Sequence, residues 1–96
     1  MRRAAKVDQN HADVVQALRS AGASVTSLAA IGRGCPDLLV GYAGMWLLFE
    51  VKDGTKSPSR RRLTPDQEEW IKASRGGPVW LITSIPEALD ALEQSK

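Results

Sequence analysis

The chain is poor in residues that build covalent or soft-metal centres. It has one cysteine and one histidine among 96 residues. A single cysteine excludes an internal disulfide and a cysteine-rich zinc site, and a single histidine excludes a cluster of imidazole ligands. A lone thiol suits a reducing compartment, so the cytoplasm is the expected location. Aromatic residues make up only 5%. No apolar run approaches the ~18 residues that would read as a membrane span. The opening Met1-Arg2-Arg3-Ala4-Ala5-Lys6 has no apolar stretch behind it, so it does not read as a secretory signal.

What remains is ordinary in amount and uneven in placement. Hydrophobic residues at 43% and charged residues at 25% fit a folded globule. The length allows one domain with a small core, which self-association would help to stabilise. Residues 1–7 read as a flexible basic arm and 8–96 as the single folded domain. The net charge is only +2, yet Lys52, Lys56, Arg60, Arg61 and Arg62 fall within eleven residues that hold one acid, Asp53. This local strip suits a polyanion, or it is a loop kept charged for solubility.

The spacing predicts a helix over 8–21, where Val14, Val15, Leu18 and Ala21 mark one face. Asp8 or Asn10 can cap its start, and Gly22 its end. Residues 24–28 read as a short strand, and 31–36 as a loop with two glycines and a proline. Runs 37–42 and 45–52 read as strands joined by a tight turn at Ala43-Gly44. Their near-continuous apolar character predicts a sheet covered on both faces. Thr64-Pro65-Asp66-Gln67 has the form of a capping box with proline at N1, opening a helix to about Ser74. A fourth strand over 79–82 and a last helix over 85–94 complete the order α-β-β-β-α-β-α.

Two of these strands end in carboxylates. Asp37 opens the first, while Glu50 and Lys52 close the second and project from one face. In a hairpin Asp37 reaches that face too. Two carboxylates and an ammonium so placed can hold a hard divalent cation through oxygens, with a lysine beside an attacking water or a phosphate. The alternative is a structural Glu50–Lys52 ion pair, which when exposed contributes only about 0–1 kcal/mol.

Pro36-Asp37 followed thirteen residues on by Glu50-x-Lys52 resembles the PD-(D/E)xK nuclease signature. The wider set is similar to its VRR-NUC subgroup. It comprises Gly32-x-Gly34-x-Pro36-Asp37-Leu38-Leu39-Val40-Gly41, Glu50-Val51-Lys52 and Leu63-Thr64-Pro65-x-Gln67. The resemblance covers roughly residues 8–93. That subgroup is a compact relative of junction resolvases and includes small stand-alone proteins, many from bacteriophages.

The resemblance implies an α/β, restriction-endonuclease-like core with a mixed four-stranded sheet flanked by helices. It implies a DNA endonuclease selective for junctions, flaps or branches, dependent on Mg²⁺ or Mn²⁺, and acting as a homodimer. It assigns Asp37, Glu50 and the Val51 carbonyl to the metal, and Lys52 to the water and phosphate. Gln67 has a sufficient reason in the capping box and an equal one near the site. Relatives often carry a glutamate in the first helix that reaches the metal. Here Asn10, His11 and Asp13 are the polar residues available, and His11 reads as a site residue or a structural one. Arg33, Lys56, Arg60, Arg61 and Arg62 flank the site and are the expected DNA contacts, fixing position rather than sequence. Cys35 reads as packing, and Trp46, Trp70 and Trp80 as core or interface residues. A domain of the same fold that binds DNA weakly or without cutting, and an accessory protein that binds another protein, are the rival functions.

Overall fold

A hairpin of apolar residues forms the centre of the sheet. In the computed structural model, which describes residues 9–96, its strands are β2 (Leu38–Tyr42) and β3 (Met45–Val51). The arm expected at 1–7, and Asp8 as a cap, lie outside the described residues. Ala43 and Gly44 both take positive φ, 51° and 79°, as a two-residue turn between twisted strands requires. β1 (Ser24–Ser27) pairs with β2 antiparallel, and β4 (Val79–Ile82) pairs with β3 parallel, giving the order β1-β2-β3-β4. Three α-helices complete the described residues: α1 (Gln9–Ser20), α2 (Pro65–Ala73) and α3 (Ile85–Gln94). The architecture is the expected mixed sheet with helices in the order α-β-β-β-α-β-α.

The two faces of the sheet are not equally covered. Leu38, Val40, Leu47, Phe49, Val51 and Ile82 point to one side and are buried with Val14 and Leu18 of α1 and Ala88, Ala91 and Leu92 of α3. The other side carries Leu39, Gly41, Trp46, Leu48 and Glu50, whose register places them together. α2 lies on this side and buries no residue completely. Leu39 and Leu48 are half-buried, and Trp46 is 70% exposed. The sheet expected to be covered on both faces is thus covered fully on one and partly on the other. A one-sided core suffices here because the helices α1 and α3 already bury the apolar residues of one face.

The segment after β3 was expected as a plain loop and contains a short 3₁₀ turn, Pro58–Arg60. It begins with Asp53, whose Oδ1 accepts from the Thr55 backbone N–H at 2.9 Å and from the Thr55 hydroxyl at 2.7 Å. Gly54 follows against the Thr83 carbonyl, where a Cβ would approach to 2.6 Å. The start of this segment is therefore built against the end of β4.

Candidate active site

The antiparallel register sets Leu38 opposite Phe49, so the next position sets Asp37 opposite Glu50. Asp37 is held there from both sides of its peptide. Its Oδ2 accepts from the Val51 N–H at 2.9 Å, and its carbonyl accepts from Leu28 N–H at 2.7 Å. One step further the register would face Pro36 with Val51. Pro36 is buried and has no N–H, so it brings no ladder donor to the Val51 carbonyl. The Pro-Asp pair thus brings no N–H from β2 to that carbonyl, and the Val51 N–H donates to the Asp37 carboxylate.

Glu50 is the one charged side chain buried among the described residues, at 3% exposure. One oxygen, Oε2, accepts from Gln67 Nε2 at 2.8 Å and lies 3.8 Å from Lys52 Nζ. The other, Oε1, is buried with no hydrogen-bond partner. Burial pushes the Glu50 carboxyl up to about 8; the neighbouring Asp37 adds to the rise and Lys52 opposes it. Lys52 is itself sheltered, its side chain 15% exposed.

Gln67 answers both readings offered by its sequence position. Its Oε1 accepts from Thr64 N–H at 2.8 Å and its own N–H donates to Thr64 Oγ1 at 3.2 Å, completing the capping box. Its Nε2 then reaches Glu50. One amide closes the helix start and locks a buried carboxylate. The Gly32–Cys35 turn brings these parts together. Cys35 N–H bonds the Gly32 carbonyl at 3.1 Å, with Arg33 and Gly34 at φ 57° and 84°. A Cβ on Gly34 would overlap the Asp66 carbonyl at the start of α2. Only glycine lets the Pro36-Asp37 segment lie this close to the helix that carries Gln67.

The remaining expected residues are spread more widely. His11 is half-buried on α1 and lines a groove with Val15, Arg19 and Ser27. Arg33 is exposed on the turn before Pro36. Lys56, Arg60 and Arg62 are exposed, whereas Arg61 is half-buried with its Nε shielded and unpartnered. The five-residue basic strip is therefore three surface cations, the half-buried Arg61, and Lys52 sheltered at the site. Cys35 is half-buried, its thiol pushed up by burial and then by Glu50 and Asp37. One contact had no counterpart in the sequence reading: Asn10 Nδ2 donates to the Lys52 carbonyl at 2.8 Å. Its signal was the spacing Asn10, Val14, Leu18, which puts a polar residue on the buried stripe of α1.

These side chains fit a hard cation in kind and in number only partly. Asp37 and Glu50 offer oxygens, and the buried Glu50 Oε1 has no hydrogen-bond partner that would compete with a cation for it. Among the described residues, no group of three or more His, Cys, Asp or Glu side chains gathers as a cage. Backbone carbonyl and water oxygens would have to complete the shell.

A four-stranded mixed sheet flanked by helices, with Asp37 and Glu50 at one end and Gln67 of α2 bonded to Glu50, is the architecture expected for a restriction-endonuclease-like core. No protein-family model matches the sequence, and no curated protein does. Among solved structures, one described as a VRR_NUC domain matches with 27% identity, over 86% of this chain and 89% of its own, at a TM-score of 0.58. The fold of this chain is that of a VRR-NUC domain, a nuclease-like domain, as the motif indicated.

Proposed function

We propose that this chain is a divalent-metal-dependent nuclease that hydrolyses DNA phosphodiesters, selective for branched or otherwise structured DNA. The observation that carries the reading is Glu50: a buried carboxylate beside Asp37, with one oxygen held by Gln67 and Lys52 and the other left open. Such an arrangement costs stability unless it has a use for its charge. Asp37, Glu50 and the Val51 carbonyl would hold Mg²⁺ or Mn²⁺. When bound, the cation supplies acidity to the attacking water and neutralises charge at the phosphate.

The chain's own groups do the rest. Gln67 keeps the Glu50 carboxylate from turning. Lys52 orients the water and meets the extra negative charge of the phosphate as the leaving oxygen departs. Lys56, Arg60 and Arg62, with Arg33 on the other side, hold the DNA backbone. The active form is a homodimer, supported by the exposed apolar residues around Trp46. The second reading, a domain of this fold that holds DNA without cutting, draws support from the small number of acidic ligands.

Junction, flap and plain duplex DNA incubated with Mg²⁺, Mn²⁺ or chelator decide between them. The nuclease reading expects cutting that chelator stops and that Asp37→Asn abolishes while the variant stays folded. Binding of junction DNA without cutting under every cation would sink it and leave the second reading.

A further inference from the structure

Asn10 ties the first turn of α1 to Lys52, the residue that follows the site strand. The Nδ2–Lys52 carbonyl bond spans 42 positions of sequence. Asn10, Val14 and Leu18 stand at i, i+4 and i+8, so the buried stripe of α1 is apolar over the sheet and polar where it passes the end of β3. At that end the Lys52 N–H is taken by the Ile82 carbonyl at 2.8 Å. β4 stops at Ile82, and Ser84 already caps α3. The sheet ladder stops with it, and the Lys52 carbonyl is met from outside the sheet, by Asn10.

We propose that Asn10 is a positioning residue for Lys52, with a catalytic consequence that rests on the nuclease reading above. It acts through the backbone. With the Lys52 N–H held by β4 and its carbonyl held by α1, the peptide planes on both sides of the Lys52 Cα are fixed. The direction of the Cα–Cβ bond follows, so the side chain leaves the backbone toward Glu50, whose Oε2 its ammonium reaches at 3.8 Å. The same bond sets where the chain leaves β3 for the segment that carries Lys56, Arg60 and Arg62. A helix far away in sequence thereby aligns the lysine and the start of the basic strip together.

Asn10→Asp is the informative variant. It keeps the size of the side chain, removes the donor and sets a carboxylate against the carbonyl. Trypsin cutting of the folded protein at Lys52, Lys56 and Arg60–Arg62 is read by fragment mass, with no metal or DNA present. Asn10→Asp is expected to be cut faster there than the parent, with unchanged circular dichroism and unchanged cutting at Lys72 and Arg75. Equal cutting in the 52–62 segment overturns the proposal.

The second arm uses DNA and single-turnover rates, at a temperature where every variant is folded. Asn10→Asp and Asn10→Ala should slow cleavage about ten- to a hundredfold, the effect of losing a group that orients a site residue. DNA affinity should stay at the parent value. In a Lys52→Ala background the Asn10 variants should slow cleavage no further, because the residue they align is gone. An unchanged rate, a rate loss that only tracks lost affinity, or a full additional loss in the Lys52→Ala background each overturns the proposal. If the parent cuts no DNA with any cation, the nuclease reading falls alone, and the trypsin arm still decides the role of Asn10.

Discussion

A carboxylate at 3% exposure with one oxygen unpartnered is unstable as an anion unless a cation or a proton joins it. Glu50 titrates near 4.5 when free and near 8 in the folded chain. Between those values the folded state binds more protons than the unfolded state, so folding stability falls as pH rises. The metal-free protein should therefore carry no penalty from Glu50 below about pH 4.5 and the full penalty above about 8, on the order of a few kcal/mol. Urea melts in chelator at a series of pH values measure this. Glu50→Gln should remove the decline and be the more stable protein at pH 8. Millimolar Mn²⁺ should raise the parent's melting temperature most at pH 8 and least near pH 5, where the proton competes, and should not raise that of Glu50→Gln. Matching pH profiles for the parent and Glu50→Gln would mean that Glu50 is not the strained group.

At the scale of elements, α2 connects folding to the site. Replacing Gln67 with alanine would remove the cap and the Glu50 contact at once and so say little. Gln67→Glu separates them. Its carboxylate still accepts from Thr64 N–H and keeps the capping box, but it faces Glu50 as a like charge. The variant should lose stability more at pH 8 than at pH 5 in chelator, and its melting temperature should rise more than the parent's when Mn²⁺ is added. Equal losses at both pH values would show that Gln67 acts as a cap only.

The segment after β3 carries a separate prediction. Arg60 and Arg62 are exposed while Arg61 turns inward, so Arg60→Gln with Arg62→Gln tests DNA contact without disturbing packing. Binding should weaken, and the log–log dependence of affinity on salt should flatten by about 0.9 per lost duplex phosphate contact. An unchanged slope would remove the segment from the interface.

These elements also mark what the sequence makes legible. Residues 38–42 and 45–51, the Ala43-Gly44 turn and the Thr64–Gln67 box are local patterns, and each stands within a residue or so of where periodicity and capping place it. The facing of Asp37 and Glu50 follows from hairpin register. Three features are not local and were not readable. The Asn10–Lys52 bond joins positions 42 apart, and the spacing Asn10, Val14, Leu18 marks the polar residue on the buried stripe but not its partner. Arg61 is half-buried at the end of the 3₁₀ turn Pro58–Arg60, which polar composition does not announce. An apolar run in a strand does not say whether its second face meets a helix, and the exposure of Trp46 is the result.

For the whole molecule, that second face is the open question of assembly. Trp46 is 70% exposed, and its indole lies against the strand backbone at Gly41, where an added Cβ would come within 3.0 Å of Cζ3. Leu39 and Leu48 continue the patch, half-buried, toward Glu50 on the same side of the sheet. A tryptophan laid flat across a glycine, next to further apolar side chains, has the composition of an interface centre rather than of a solvated surface. A twofold contact would set this patch against the same patch on a second copy. Such a pair would set two Asp37–Glu50 sites in opposed orientation, matching the near-twofold form of a four-way junction and giving paired, symmetric nicks. A single site would instead suit one nick beside a flap. Light scattering over a concentration series should show twice the chain mass for the parent and a single chain mass for Trp46→Glu, with paired nicking of junctions lost in step while the circular dichroism stays the same. A parent that remains monomeric at high concentration and still cuts junctions would reject the dimer and move the expected substrate to flaps.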